Sequence, residues 1–176
     1  MIFCETERLI LRNVAPADAE TMFDYRNNAL CARYQRGQTR DRAGIEALIA
    51  RHGQDELTVD APCLIAVAAK DGGMVGEIVV MPEGGTISLG YTISYKHHRN
   101  GYAFEALTAL IGLLHGRYPD WDFVSFTEPE NLASAALLKK LGYRELGFIP
   151  ALQSLAFGKW LRPDTESELA QALRQN

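Results

Sequence analysis

The chain has 176 residues, 47% of them hydrophobic and 23% charged, with a formal net charge of −4. That length can bury one sizeable core, and the composition excludes a disordered or fibrous chain. The mild acidic balance serves solubility and argues against nucleic acid as the main partner, and no run approaches the roughly 18 apolar residues of a membrane span.

Cys4, Cys31 and Cys63 are odd in number and widely spaced. They predict a reducing compartment rather than a disulfide framework. Histidines and carboxylates show no ligand spacing, so no metal is expected. Glu5, Glu7 and Arg8 interrupt any apolar run at the N-terminus. A cytoplasmic protein without a signal peptide is therefore expected.

In chain order, Arg8 to Arg12 is a short apolar run of strand type. Pro16 can open a helix that ends near Asn27 and Asn28, with Asp18 and Glu20 in its first turn. Ala29 to Gly37 is ambiguous, and Thr39 is placed to cap a second helix through about His52. Gln54 to Pro62 reads as a loop. Cys63 to Ala69 and Met74 to Met81 read as strands joined by the hairpin signal Asp71-Gly72-Gly73. After the turn Pro82 to Gly85, Ile87, Leu89, Tyr91 and Ile93 alternate with small or polar residues as a third strand.

A basic, glycine-containing turn follows, and then an amphipathic helix from about Tyr102 to Arg117, with Leu107, Leu110, Ile111 and Leu114 on one face. A strand feeding a tight turn and a helix aims backbone N–H groups and a positive dipole end at one spot. That spot suits a phosphate, and Lys96, His97, His98 and Arg99 add charge to it. Phe123 to Thr127 is a short apolar strand, expected parallel to the strand before the crossover helix. Asn131 can cap a helix that Gly142 ends. Tyr143 to Phe148 and Gln153 to Leu161 read as closing strands, with Trp121 and Trp160 in the core. Thr165 and Glu168 stand at capping-box spacing before an appended helix. The whole reads as one α/β domain with a mostly antiparallel sheet and one parallel pair.

Three runs resemble a known family in combination. Gly90 to Ile93 followed by Arg99 to Leu107 resembles the acetyl-CoA signature of the GCN5-related N-acetyltransferases (GNAT). Pro129 to Ser134, closing on Lys139 to Tyr143, resembles that family's second conserved motif. Thr6 to Arg12 resembles the branch that acetylates N-terminal amines of ribosomal proteins, with its antibiotic-modifying relatives. The resemblance implies an α+β single-domain fold over residues 1–162, a splayed mixed sheet flanked by helices, and a tail over 163–176. It implies transfer of acetyl from acetyl-CoA to a primary amine, on a protein N-terminus or a small molecule, by direct attack. A non-catalytic acyl-CoA-binding or sensing domain is the alternative.

The family's phosphate loop falls on His98, Arg99, Asn100, Gly101, Tyr102 and Ala103, with His98 where relatives carry Gln or Arg. Small residues there let the backbone touch a pyrophosphate. Backbone of Tyr91, Thr92 and Ile93 would hold the acetyl group, one N–H polarising the thioester carbonyl. Asn131 would bond the pantetheine amides, and Ser134 would stand near the leaving sulfur as the catalytic group that protonates or solvates the thiolate, with water as its alternative. Leu138 occupies the position of a Tyr acid in many relatives, and Ser88 that of a carboxylate. An amine of pKa about 8 to 10 must lose a proton before attack. Glu128 leads the candidates for that base, ahead of Glu77 and His97, with a water chain as the alternative. Arg33, Tyr34 and Gln35, with Tyr95 opposite, fall where the family shapes its acceptor site. The expected partner is thus an amine, met by a monomer or homodimer away from membranes and nucleic acid.

Overall fold

A computed structural model describes residues 1–174. The chain opens with β1 (Ile2–Glu5) and β2 (Leu9–Asn13), a single 3-10 turn at Pro16–Asp18, and helices α1 (Ala19–Arg26), α2 (Ala29–Ala32) and α3 (Arg42–His52). The meander β3 (Cys63–Ala69), β4 (Met74–Glu83) and β5 (Thr86–Ile93) follows. Helix α4 (Tyr102–Arg117) crosses to β6 (Asp122–Thr127), and α5 (Leu132–Lys140) leads to β7 (Arg144–Ile149), β8 (Ser154–Lys159) and α6 (Pro163–Ala172). The eight strands form one sheet in the order β1-β2-β3-β4-β5-β6-β8-β7. The expected mixed, mostly antiparallel sheet is the one observed.

Strand alternation divides the core in two. Leu11, Ile65, Ile78, Ile87 and Phe123 pack with Leu107, Leu110 and Leu138 on the face covered by α4 and α5. Leu64, Ala66 and Met74 pack with Met22, Tyr25, Ile45 and Ile49 on the face covered by α1 and α3. Each such side chain removed from water contributes about 1.5–3 kcal/mol, so the register is strongly held.

One junction departs from a continuous sheet. The parallel pairing of β5 with β6 is confined to Thr86 opposite Asp122 and Ile87 opposite Phe123. Beyond Ile87 the two strands part, while β5 stays paired to β4 up to Ile93 without a register shift. This wedge is the expected splay.

Three expectations are corrected. Asp41, not Thr39, caps α3 by accepting the Gly44 N–H at 2.8 Å; the Thr39 carbonyl instead takes the Arg26 guanidinium at 2.9 Å. Trp160 is not core. It is 45% exposed, because φ of +54° ends the alternation of β8, and its ring stacks on His115 at 3.7 Å. Thr165 forms no capping box: α6 starts at Pro163 without a side-chain cap, and the buried Thr165 hydroxyl donates to the carboxylate of Asp122. Asp122, fully buried, also accepts the Arg162 backbone N–H at 2.9 Å. The final two residues of the expected tail, 175 and 176, lie outside the described residues.

Candidate active site

The wedge between β5 and β6 opens into a cavity of about 850 Å³. Of the residues singled out from sequence, Tyr34, Tyr91, Thr92, Ile93, His98, Arg99, Ala103, Glu128, Asn131 and Ser134 line it. Asn100 and Gly101 sit in the adjoining loop, and Tyr102 is the first residue of α4. Arg33 and Tyr95 stand outside the lining. Arg33 is exposed beside the Tyr34 ring, and Tyr95 packs toward α1 with its hydroxyl 3.4 Å from Asp24.

The β5 lip offers backbone. Tyr91 O accepts from the Gln35 amide at 3.1 Å, and Ile93 O accepts from His98 Nε2–H at 2.8 Å. Both carbonyls therefore face the wedge and not β4. In an extended strand the N–H and C=O of one residue point to the same side, so the Tyr91 and Ile93 N–H groups face the wedge too. The Tyr91 side chain also contributes, which the sequence reading missed. Its hydroxyl lies 2.7 Å from Ser134 Oγ on α5, and burial raises its pKa against a lowering pull from that bond. Leu138 is buried in the core and offers the cavity nothing. Alternation from Ile87 was the available signal for Tyr91; the partner across the wedge was not.

The loop between β5 and α4 is shaped by two left-handed residues, Arg99 at φ +63° and Gly101 at φ +78°. Such turns point successive N–H groups one way and make an anion-binding concavity. Gly101 is the N-cap of the 16-residue α4, whose first-turn N–H groups lack intrahelical partners. A Cβ at Gly101 would find only Arg8 Nη2 within 4 Å, at 3.5 Å. The cradle is therefore open, as a pyrophosphate requires. Arg99 lines the cavity as expected, and a second guanidinium stands beside the loop. Lys96 is turned away onto Asp24 at 2.8 Å. Arg8, from the β1–β2 turn, donates to Asn100 O at 2.9 Å and lies 4.7 Å over the Tyr102 ring. Glu105 holds Arg8 in place, with Nη2 at 2.6 Å, and accepts the Thr6 hydroxyl.

Glu105 has a lowered pKa: desolvation raises it, and the bonds from Thr6 and Arg8 outweigh that. A depressed folded-state pKa stabilises the fold above the unfolded value of about 4.3, and that stability is lost as pH falls through the folded value. Wild-type melting temperature should therefore fall between about pH 5 and pH 3 by more than that of Glu105→Gln. Parallel melting curves of the two proteins across this window would refute the assignment.

The base candidates are sorted by their surroundings. Glu77 is 2% exposed and is consumed by Arg26 at 2.7 Å, the Tyr25 hydroxyl at 2.7 Å and the Gln38 amide at 2.8 Å. Glu128 lines the cavity and pairs with Arg36 at 2.9 Å, their side chains 27% and 60% exposed. A pair that exposed is worth about 0–1 kcal/mol, so it opens readily. The segment Tyr34 to Arg36 straps both lips: Gln35 bonds β5, the Tyr34 hydroxyl donates to Glu130 O at 3.1 Å, and Arg36 donates to Leu152 O at 3.2 Å. The thiols are poor nucleophiles: burial pushes Cys63 up to about 12 and raises Cys31 and Cys4.

Comparison with known proteins bears on the fold and the family. No curated protein matches the chain in sequence. Similar structures include a GNAT-family acetyltransferase from Bacillus anthracis, with TM-score 0.77 and 20% identity over 90% of this chain and 98% of that one. A ribosomal-protein alanine acetyltransferase from Vibrio fischeri has TM-score 0.72 and 15% identity over 92% and 97%. A microcin self-immunity acetyltransferase in complex with acetyl-CoA and AMP has TM-score 0.73 and 15% identity over 88% and 93%. At these identities the likeness is one of fold. The family model described as acetyltransferase (GNAT) domain matches residues 8–144, well over half of the chain, and so the chain belongs to the GNAT acetyltransferase family.

Proposed function

We propose that this protein transfers acetyl from acetyl-CoA to a primary amine by direct attack inside the β5–β6 wedge. The observation that carries the reading is the Tyr91–Ser134 pair beside wedge-facing N–H groups of the same strand. The loop Arg99 to Ala103, braced by Arg8, holds the pyrophosphate. The pantetheine arm runs between β5 and α5, past Asn131. The thioester carbonyl rests against the Tyr91 and Ile93 N–H groups, which stabilise the tetrahedral oxyanion.

Glu128, released from Arg36, takes the proton of the incoming ammonium. The nitrogen attacks the carbonyl carbon, the C–N bond forms, and the C–S bond breaks. The departing sulfur takes a proton from the Tyr91 hydroxyl, which Ser134 orients. The second proton that the nitrogen loses as the amide forms returns to Tyr91, so that the net proton released is the one on Glu128. Tyr91 suits this task because burial keeps it protonated. The raised cysteine pKa values support direct attack over an acyl-enzyme.

Free-thiol release from acetyl-CoA with a panel of amines and peptides tests the reading. Amine-dependent thiol is expected. CoA binding with no thiol release for any acceptor would overturn it in favour of a sensing domain. Within the reading, Tyr91→Phe should lower kcat about 100-fold, since positioned proton transfer contributes about 10²–10⁴-fold, with CoA affinity little changed. Wild-type turnover in this variant would remove Tyr91 from the mechanism.

A further inference from the structure

The cavity has two chemically different halves. Ile87 and Phe123 mark the sheet face covered by α4. By alternation Tyr91 and Thr127 share that face, whereas Gly90, Phe126 and, across the ladder, Met81 lie on the other. The α5 half is polar, with Asn131, Ser134 and the Tyr91 hydroxyl. The opposite half carries the exposed apolar side chains, with Thr92, Ser154 and the Glu128–Arg36 pair at its edge. Met81 and Phe126, 41% and 42% exposed, face it, with Leu30 from α2 and Leu152 from the β7–β8 turn at its rim, 70% and 45% exposed. Single exposed apolar side chains need no explanation, but four around one cavity do. Gly90 adds room at the centre: a Cβ there would meet only Met81 Cε, at 3.5 Å.

The charges narrow the ligand. Glu128 is the one acid in the cavity lining among the described residues, against Arg36 and Arg99. By alternation from Phe126 it lies at the edge of the apolar half. One carboxylate can receive one ammonium, and two guanidinium groups repel further positive charge.

We propose that the acceptor is a primary amine carried on a large apolar group, with the ammonium at Glu128 and the apolar group against Phe126, Met81 and Gly90. This rests on the acetyl-transfer reading. The shared chemistry can come from a free lipophilic amine or from a peptide whose first residue is large and apolar. Polyamines are excluded by the charge of the wall, and small polar amines leave the apolar half unfilled.

The test compares kcat/KM for thiol release at saturating acetyl-CoA. The acceptors are leucinamide, 2-phenylethylamine and a tripeptide beginning with Leu, set against glycinamide and spermidine. At least one apolar acceptor should exceed glycinamide about tenfold or more, as burial of a Leu-sized group provides, with spermidine lowest. The order of tripeptide and free amines identifies the source. Phe126→Ser should bring the ratio of the preferred apolar acceptor to glycinamide within about threefold. Glycinamide or spermidine matching the apolar amines would overturn the proposal while leaving acetyl transfer standing. An unchanged ratio in Phe126→Ser would also overturn it. Thiol release from none of the five would count against the acetyl-transfer reading itself.

Discussion

Glu77→Gln should lower stability by about 3–5 kcal/mol, the cost of leaving one charge of a buried pair uncompensated. For a chain of this length that is a drop of roughly 10 °C in melting temperature. Arg26 and Glu77 side chains are 4% and 3% exposed, and Arg26 Nε already lacks a hydrogen-bond partner. Glutamine keeps the shape and an oxygen for the Tyr25 hydroxyl, but leaves the guanidinium buried without its counter-charge. The double variant Arg26→Met, Glu77→Leu should regain most of the loss, because apolar replacement of a buried pair is often neutral. The pair borders the site, since Glu77 pairs with the cavity-lining Thr92 across the β4–β5 ladder. Calorimetry decides: a melting temperature within a degree or two of wild type would mean the pair is not the anchor described.

Gly101→Glu should reduce CoA affinity about 100-fold or more. A carboxylate near the pyrophosphate meets like charge, and repulsion of that kind is worth a few kcal/mol at about 4 Å in a partly shielded site. The fold should survive. The left-handed φ of +78° costs a non-glycine residue about 1–2 kcal/mol, and nothing but Arg8 Nη2 stands near the new Cβ. Gly101→Asn separates the causes, because asparagine tolerates this conformation and carries no charge. It should keep CoA affinity within about tenfold of wild type. Titration calorimetry with CoA on both variants checks this, and near-wild-type affinity in folded Gly101→Glu would move the phosphate site elsewhere.

Local pattern made much of this legible. The alternation from Ile87 to Ile93 and the helical spacing from Leu107 to Leu114 are short-range signals, and they became β5 and α4. The parallel partner of β5 followed from the crossover helix. The rest depends on groups far apart in sequence. Arg8 braces Asn100 from the first hairpin, and Tyr34 to Arg36, in the stretch that reads as ambiguous, bond both lips of the wedge. Neither has a periodicity to read. Trp160 misleads for a related reason: an aromatic at a strand end counts as core until a left-handed turn rotates it outward. Thr39 and Asp41 are both acceptable caps, and the start of α3 at Arg42 puts Asp41 in the cap position.

The corrections also sharpen the chemistry. The position where relatives carry a tyrosine acid is Leu138, a core residue here. The phenol that meets Ser134 comes instead from Tyr91 on the strand. In the proposed mechanism Tyr91 then has two tasks, donating a proton to sulfur through its side chain and sharing oxyanion stabilisation with Ile93 through its backbone. Glu128 is the acid in the cavity lining, and the proposed mechanism gives it the amine proton once it leaves Arg36.

The most direct test is a single-turnover balance with excess protein, acetyl-CoA and a competent amine. Direct attack in the wedge predicts that free thiol and acetylated amine appear together in equal amounts, that no acetyl is found on the protein, and that no thiol is released without the amine. Thiol released before the amine is added, with acetyl recovered on Cys31 or another side chain, would contradict it.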